Sequence, residues 1–429
     1  MSPVIDVPPT TANRSVWLRV GTLLDGTDAL PARDAHVVYD GEVIRFVGRD
    51  GRTPPAGVLR PEQRAPDVDA PDHTLLPGLI DAHAHLFLEG REIDPAKRAA
   101  CLKQTPDELL AAATGRLEKL VRLGVAGVRD AGDRHGVGLA LSRRCAAPDR
   151  PLMPYLDSPG AAIHHRGRYG GFMAEPVEEF ASPRACVEAR VRAGGDRIKL
   201  IATGIVDFNQ GRVTSAPQMT ADEIAGYVAA ARDCERQTFA HASGDAGIDA
   251  VIAGGVDSVE HGFFLRDDQL ARMRDRDIAW VPTFVPVQKQ VDHAAALGWD
   301  RAVVANLRGI LEQHAASLAR AHALGVRIVA GSDAGSCGVP HGFGLLDELE
   351  LMERAGLTPG SVINAATGVS AGRFGYRERL GRIAPGGCSR FILTRHPPHE
   401  TVANLRRPRV VVFDGRVFAS DETLDDKGL

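Results

Sequence analysis

Two histidines one residue apart follow an apolar segment in the first quarter of the chain. Leu79 and Ile80 open the segment, and His83 and His85 close it. Because side chains alternate between the two faces of a β-strand, residues i and i+2 point in the same direction. Neutral imidazole is a standard ligand for zinc and related divalent ions. Taken alone, the pair fits either a metal site or two hydrogen-bonded histidines at a strand end.

Further polar residues lie within or directly after other apolar runs of the chain. They are Lys199, His241, His261 and Asp333. Each has a simple structural explanation: a strand-end histidine is often a hydrogen-bonded core residue, Asp333 could cap a helix, and Lys199 could form a buried ion pair. The occurrence of all of them at comparable positions is better explained by a shared metal centre.

The middle of the chain alternates short apolar runs with helical stretches, the pattern of βα units around a parallel sheet. The runs span residues 79–83, 124–130, 152–156, 197–201, 238–241, 258–261, 278–281 and 326–330. Capping boxes that begin at Thr105 and Thr220 predict helix starts between them. Eight such units predict a (β/α)8 TIM barrel, whose active site lies at the carboxyl ends of the strands. The polar residues would then meet at one rim.

Both ends of the chain are predicted to be β-rich. Segments 36–46 and 409–418 each place an Asp-Gly dipeptide between two apolar runs, which predicts hairpins with type I′ turns. We therefore expect an α/β protein in which residues 77–382 form the barrel. Residues 1–76 and 383–429 would together form a small β-sandwich domain.

Composition excludes several classes of protein. The formal net charge of -4 and the lack of a long basic run argue against nucleic acid or an anionic membrane as partner. No apolar run reaches membrane-spanning length, and the Pro- and Thr-rich start does not resemble a signal peptide. Scattered cysteines without CxxC spacing indicate reduced thiols in a cytoplasmic protein. A small-molecule substrate is the expected partner, and homo-oligomerisation is left open.

The order of these motifs resembles the amidohydrolase superfamily, in particular its imidazolonepropionase and Xaa-Pro or Xaa-Arg dipeptidase branch. The resemblance extends from about Ser15 to Phe418. Besides the histidine pair, it rests on short segments in a fixed order: IKLIATG at 198–204, VDSVEHG at 256–262, VPT at 281–283, GSDAG at 331–335, AAT at 365–367 and LGRIAPG at 380–386. Each segment is moderately specific, and their order and spacing together are highly specific.

The resemblance implies a centre of two divalent metal ions, held by His83, His85, Lys199, His241, His261 and Asp333. His241 and His261 would bind the second ion. Since an ammonium group cannot bind a cation, Lys199 would react with CO2, and the resulting carbamate would bridge the two ions. Burial near cations favours the neutral amine that this reaction needs. Histidine and carboxylate ligands make Zn²⁺ the expected ion.

The implied reaction is metal-assisted hydrolysis of a C–N bond. Two cations lower the pKa of a shared water, so that hydroxide forms at neutral pH. Asp333 would take the proton of that water and pass it to the leaving nitrogen. Asp333 and Lys199 are thus the predicted catalytic residues.

Residues after the third run and after GSDAG are candidates for substrate contact: His164, His165, Arg166, Arg168 and His341. A histidine could bond to the substrate carbonyl, and Arg166 or Arg168 could bind a carboxylate. The alternative is a solvated basic loop. The dipeptidases typically have a substrate-contacting tyrosine after strand four, where this chain has APQM at 216–219.

We expect an amidohydrolase that acts on a small amide: an N-acyl amino acid, a dipeptide-like compound or a xenobiotic carboxamide. The same centre could hydrolyse a cyclic amide, urea, carbamate or lactone, because specificity depends on loops. A non-catalytic binding protein with this fold is a further alternative, and such a protein would be expected to have lost metal ligands.

Overall fold

The computed structural model describes residues 5–10, 14–28, 30–376 and 380–424, so each predicted domain range includes some residues outside this description. The strands are β1 Ser15–Leu23, β2 Ala32–Asp40, β3 Val43–Gly48, β4 Val68–Pro77, β5 Leu79–Ala84, β6 Val125–Asp130, β7 Tyr155–Asp157, β8 Ala162–His164, β9 Ala174–Pro176, β10 Ile198–Ile201, β11 Thr238–Ala242, β12 Ser258–His261, β13 Ala279–Val281, β14 Arg390–Thr394, β15 Arg409–Phe413 and β16 Arg416–Ser420. The α-helices are α1 Pro95–Cys101, α2 Pro106–Arg122, α3 Val137–Ala146, α4 Pro183–Arg192, α5 Ala221–Asp233, α6 Asp245–Gly254, α7 Asp267–Asp275, α8 Val285–Asp292, α9 Arg301–Leu324, α10 Phe343–Arg354, α11 Pro359–Ala365 and α12 Gly368–Phe374. Short 3₁₀ helices span Ala56–Val58, Val177–Glu179 and Val402–Arg406.

Strands from both ends of the chain form one seven-stranded sheet, in the order β16-β15-β14-β4-β1-β2-β3. The two ends meet where β14 runs antiparallel to β4, with Phe391 opposite Pro77. β1 and β4 are parallel, and the other neighbouring strands are antiparallel. Both ends therefore contribute to a single mixed sheet, whereas the two-layered sandwich stays a prediction.

The two predicted Asp-Gly hairpins turn differently. In the C-terminal hairpin, Asp414-Gly415 forms the turn with φ angles of 50° and 79°, as a type I′ turn requires. In the N-terminal hairpin, a bulge between Val38 and Tyr39 shifts the register, and Asp40 pairs with Val43. The turn therefore falls one residue later than the sequence predicts, because strand register and not the dipeptide alone sets its position.

The middle of the chain forms two parallel sheets, which confirms an α/β fold. One sheet has the order β5-β6-β7 and the other β13-β12-β11-β10-β8-β9, with parallel pairing throughout. Parallel neighbours need a crossover connection, and helices supply most of these here. The strands β8 and β9 fall where the sequence predicted a loop after the third run.

Two predicted capping boxes begin helices, and one of them is complete. Thr105 Oγ1 accepts from the Glu108 amide at 3.3 Å, and Glu108 accepts from the Thr105 amide at 2.8 Å. Thr220 Oγ1 likewise accepts from the Glu223 amide at 3.2 Å. The carboxylate of Glu223 instead lies 2.7 Å from His165 Nε2. In the second capping box, this contact with His165 therefore replaces the hydrogen bond from the Thr220 amide to the Glu223 carboxylate.

The eighth predicted strand, residues 326–330, is wrong as a regular strand. Its residues and those just after it make only isolated parallel bridges, Ile328 with Trp280 and Ala334 with Ala84. The reason is that the end of α11 intervenes, since the Ala330 amide donates to the carbonyl of Ala365, the last residue of that helix, at 3.1 Å. We call residues 328–334 the bridging segment, because it links β13 to β5.

Buried apolar side chains pack in clusters on the sheets. The largest cluster lies between the parallel sheets and their helices. A second cluster packs on the seven-stranded sheet, which we call the terminal sheet because both chain ends contribute to it. A smaller cluster joins Val206, Phe263 and Val287 to residues of α9. In the part of the chain that is described, no helix combines the length and apolarity needed to cross a bilayer.

Candidate metal centre

The predicted metal ligands all lie near the carboxyl ends of parallel strands or in the bridging segment. Each is at most 8% exposed. They are His83 in β5, His85 directly after it, Lys199 in β10, His241 in β11, His261 at the end of β12 and Asp333 in the bridging segment. Parallel pairing of β10, β11 and β12 brings their carboxyl ends to one edge. The tertiary structure thus gathers residues that are up to 250 positions apart, counted from His83 to Asp333 (333 − 83).

Three of these side chains form a compact cluster. Asp333 Oδ1 lies 3.7 Å from His83 Nε2 and 3.6 Å from His85 Nε2. One donor atom from each residue falls within 4.8 Å of the others. Two imidazoles and a carboxylate are a typical donor set for a divalent transition metal.

The hydrogen bonds of the first two histidines leave the correct nitrogen for a metal. His83 Nδ1 donates to Glu260 Oε2 at 2.6 Å, and His85 Nδ1 donates to the carbonyl of Gly132 at 3.2 Å. The Nε2 atoms therefore carry lone pairs and face Asp333. Among the described residues, buried His83 Nε2 has no hydrogen-bond partner. Since buried polar atoms are nearly always paired, this unpartnered nitrogen fits the role of a metal ligand.

A second pair of histidines adjoins this cluster. The ring centres of His241 and His261 are 4.6 Å apart, and those of His261 and His83 are 5.0 Å apart. His261 Nδ1 lies 2.7 Å from Thr283 Oγ1, and His241 Nε2 lies 3.3 Å from the carbonyl of Gly204. One nitrogen of each ring is thereby occupied, and the other is left for a ligand. The structure brings the two pairs together as the sequence predicts.

The backbone at two of these positions is unusual. His261 has a φ of 65° and Asp333 a φ of 52°, in the left-handed region that non-glycine residues rarely adopt. The Asp333 amide donates to the carbonyl of His83 at 2.7 Å, which holds this conformation in place. Strained backbone of this kind is concentrated at functional sites.

Burial changes the protonation of the whole cluster. Burial lowers the pKa of His85 and of His241 to about 3, so these imidazoles are neutral, as metal binding requires. Burial also lowers the pKa of Lys199 to about 8 and raises the pKa of Asp333 to about 7, against the charge of Lys199. Burial therefore shifts both groups toward their neutral forms.

A buried ion pair between Arg129 and Glu260 holds the hydrogen-bond acceptor of His83 in place. Arg129 Nη2 donates to Glu260 Oε2 at 2.7 Å, and Arg129 Nε donates to the carbonyl of Ala82 at 2.6 Å. Ser258 Oγ donates to Glu260 Oε1 at 2.6 Å. The sequence analysis did not select Arg129 or Glu260, although a charged residue inside an apolar strand run is a usable signal.

Comparison with known proteins identifies the family. A family model described as the amidohydrolase family matches residues 74–418, which is most of the chain. The chain belongs to the amidohydrolase family. The predicted resemblance is therefore confirmed.

Individual relatives agree with this assignment. The chain is 27% identical over 424 residues to an ochratoxinase of Aspergillus niger, covering 93% of this chain and 85% of the relative. It is 27% identical over 359 residues to an uncharacterized protein of Mycobacterium tuberculosis, covering 80% of this chain and 85% of the relative. The crystal structure of a Xaa-Pro dipeptidase with bound methionine superposes with a TM-score of 0.77 and 25% identity, covering 95% of this chain and 100% of that one.

A cavity of about 580 Å³ opens above the centre of this amidohydrolase. All of the predicted metal ligands line it. The other walls are mainly apolar: Leu88, Ile93, Leu102, Phe172, Met173, Ile201, Ile205, Val206, Phe208, Phe263, Val287 and Leu297. The volume and the apolar lining suit a small organic ligand, with few polar groups to orient it.

Tyr169 is a cavity residue that the sequence analysis missed. Its ring centre lies 5.3 Å from that of His241, and burial raises the pKa of its hydroxyl. The tyrosine expected after strand four is absent, but Tyr169, in the loop after β8, lines the cavity. Its position between Arg168 and Gly170 placed it within a candidate loop, yet only the fold shows which side chains of that loop turn inward.

The predicted substrate contacts do not line this cavity. His164 is buried at the end of β8, and the structure places its imidazole near Gly171. His341 is partly buried, and its Nε2 lies 3.1 Å from the carbonyl of His85, behind the metal ligands. His165 bonds to Glu178 at 2.9 Å and to α5.

The two arginines of the same loop are also engaged elsewhere. Arg166 pairs with Glu179, with both side chains more than half exposed. Arg168 Nη2 donates to the carbonyl of Ala216 at 2.5 Å, and the residue borders a separate, shallow cavity. A substrate role for these loop residues stays a prediction.

Proposed function

We propose that this chain is a metal-dependent hydrolase of a C–N amide bond in a small molecule. N-acyl amino acids, dipeptide-like compounds and xenobiotic carboxamides are the proposed substrates. The observation that carries the proposal is the cluster of His83, His85 and Asp333, with an unpartnered His83 Nε2, on the floor of an apolar cavity. Membership of the amidohydrolase family and the likeness to an ochratoxinase and a Xaa-Pro dipeptidase support it.

The proposed cofactor is a pair of divalent ions, and zinc suits the histidine-rich donor set. His83, His85 and Asp333 would hold one ion, and His241 and His261 the other. Lys199 would add CO2 to its neutral amine, release one proton and offer the carbamate oxygens to both ions. When bound, the ions supply Lewis acidity that lowers the pKa of water and polarises a carbonyl. The lowered pKa of buried Lys199 supports the carbamate.

Side chains of the protein would carry out the proton transfers and exclude water. Asp333 orients the attacking water, accepts its proton and delivers that proton to the leaving nitrogen. An amide nitrogen leaves poorly unless protonated, and the raised pKa of Asp333 suits a group that must both accept and donate. The apolar walls exclude bulk water from the reacting amide.

We further propose that the two parallel sheets close into one (β/α)8 barrel. The bridging segment supports this closure, because the Val329 amide donates to the carbonyl of Trp280 at 2.9 Å and the Ala82 amide donates to the carbonyl of Ala330 at 3.0 Å. The last strand of one sheet and the first strand of the other thus share one segment.

Metal analysis and a substrate screen test the proposed function. Purified protein made without chelator should contain about two ions per chain and should hydrolyse at least one compound among N-acyl amino acids, dipeptides, anilides and ureas. Lys199→Ala should lose both metal and activity, whereas Lys199→Glu should keep part of each, because a carboxylate can replace the carbamate. Lys103→Ala, at an exposed lysine, is the control. Fewer than one ion per chain, or normal turnover in both Lys199 variants, would contradict the proposal.

A further inference from the structure

A single arginine from α1 reaches the wall of the large cavity. Arg98 lines it beside the apolar residues Ile93, Pro95 and Leu102. Apart from Arg98, the charged residues on the wall are the candidate metal ligands Lys199 and Asp333, together with Glu89. We propose that Arg98 binds a carboxylate of the substrate and thereby selects amides that carry one, an inference that rests on the proposed function.

The guanidinium of Arg98 has only neutral partners. Its Nη1 donates to the carbonyls of Glu89 at 2.7 Å and Glu92 at 3.0 Å, and its Nη2 donates to the carbonyl of Gly335 at 2.9 Å. In the described parts of the chain, no carboxylate forms an ion pair with it. A cation beside an apolar surface without a counter-ion is a good receptor for an anion.

Nearby carboxylates are used by other cations. Glu89 Oε2 pairs with Arg116 at 3.0 Å, and Glu92 Oε2 pairs with Lys97 at 3.5 Å. The residue that precedes Arg98 in the helix therefore has an acidic partner, while Arg98 itself bonds to the backbone of the same two residues. The local charges hold the loop and α1 together, and they leave Arg98 without an ion-pair partner among the residues that the structure describes.

The hydrogen-bond count leaves donors for a ligand. A guanidinium has five N–H groups, and the carbonyls of Glu89, Glu92 and Gly335 accept three of them. The Nε hydrogen and one Nη2 hydrogen remain, on the two nitrogens that form the side edge of the group. That edge is suited to a two-point bond with a carboxylate.

The position relative to the metal centre is also suitable. Gly335, which accepts from Arg98, is two residues after Asp333, and Ser336 lines the same cavity. The carbonyl contact therefore anchors the guanidinium to the loop that carries Asp333. An amide placed against Asp333 would have one end near Arg98 and its apolar part among Phe172, Phe208 and Phe263.

The direct test is the binding of two probes of equal shape and different charge. 3-Phenylpropanoate and 3-phenylpropanamide are titrated calorimetrically into the zinc-loaded protein. Arg98→Gln keeps donors for the backbone carbonyls but removes the charge, and should weaken the carboxylate about tenfold or more while changing the amide less than about twofold. Arg98→Lys should retain part of the preference. Arg192→Gln, at a largely exposed arginine of α4 that does not line the cavity, should change neither probe.

The outcomes separate this proposal from the proposed function. Equal weakening of both probes by Arg98→Gln would show a purely structural role, and an unchanged carboxylate Kd or no measurable binding to the wild type would also overturn the proposal. In hydrolysis assays, an N-acyl amino acid should show a raised KM in Arg98→Gln, and its C-terminal carboxamide an unchanged KM. If the probes bind according to charge but no substrate is hydrolysed, only the proposed function is contradicted. If substrates are hydrolysed but the carboxylate probe binds equally well without Arg98, only this inference is contradicted.

Discussion

At the scale of single residues, the charge network beneath His83 explains how the site can be both buried and polar. Arg129 is 1% exposed, and its guanidinium carbon lies 4.3 Å from the ring centre of Phe239 and 4.2 Å from that of Phe374. Burying this cation and Glu260 is costly, and their mutual ion pair, their hydrogen bonds and the two ring contacts offset the cost. The pair holds the acceptor for His83 in place.

Replacement of Glu260 by glutamine tests this support. Glu260→Gln keeps the shape but leaves Arg129 without its counter-ion and gives His83 Nδ1 a weaker acceptor. We expect metal affinity to fall about ten- to hundredfold, as for other partners of metal-binding histidines. Competition with a chromogenic chelator measures the affinity. Glu175→Gln, at a half-exposed glutamate paired with Arg190, is the control, and equal affinities in both variants would contradict the role of Glu260.

At the scale of elements, the loop between β8 and β9 is anchored on its outer side by His165. His165 bridges the 3₁₀ helix Val177–Glu179 and α5, through Glu178 at 2.9 Å and Glu223 at 2.7 Å. Burial lowers the pKa of His165, but the bonds to the two carboxylates raise it more, so that the net pKa lies above 6.5. The same contacts turn Tyr169 toward the cavity and the basic residues away from it.

The stabilisation by His165 should depend on pH. A group whose pKa is raised by folding stabilises the fold below its unfolded pKa, and this effect is lost as pH rises through the folded pKa. His165→Gln should therefore lower the free energy of unfolding by about 0.5–1 kcal/mol at about pH 5.5, and by much less at about pH 8.5. Urea unfolding at both values measures it. A loss that is independent of pH, or that grows with pH, would refute the assignment.

At the scale of the whole molecule, buried arginines fasten the terminal sheet to the parallel sheets. Arg390 in β14 forms a two-point ion pair with Asp414, at 2.7 Å and 2.6 Å. It also donates to the carbonyl of Ala126 in β6 at 3.1 Å. Arg409 in β15 donates to the carbonyl of Leu123 at 2.7 Å. The C-terminal strands β14 and β15 are thereby tied to β6 and to the C-terminal end of α2.

Removal of one member of the Arg390 pair should be more harmful than removal of both. Arg390→Met leaves the buried carboxylate of Asp414 with only a 3.5 Å contact to Arg150, and should cost about 3 kcal/mol of unfolding free energy. Arg390→Met combined with Asp414→Asn should cost less, because no uncompensated charge remains and asparagine tolerates the left-handed turn. Chemical denaturation compares the two. A double variant less stable than the single variant would contradict this account.

Much of the architecture and all of the candidate metal ligands follow from local sequence signals. The alternation of apolar runs with capped helices predicted the α/β fold, and the polar residues at the run ends predicted which side chains meet. This works because parallel strands place their carboxyl ends at one edge, so a residue's position along its strand already determines where it lies. The irregular bridging segment was the main exception, since residues distant in sequence compete for its backbone hydrogen bonds.

Which residues surround the candidate metal ligands could be read only from the tertiary structure. The sequence contained Arg98, Arg166 and Arg168 as equivalent cations. Nothing local distinguished Arg98, which faces the cavity, from Arg166, which pairs with Glu179, or Arg168, which bonds to a backbone carbonyl. Likewise, Tyr169 and Glu260 acquired their neighbours through contacts with distant strands. Ligand positions depend on strand geometry, which repeats from one unit to the next, whereas loop orientation depends on which long-range partners satisfy each charge.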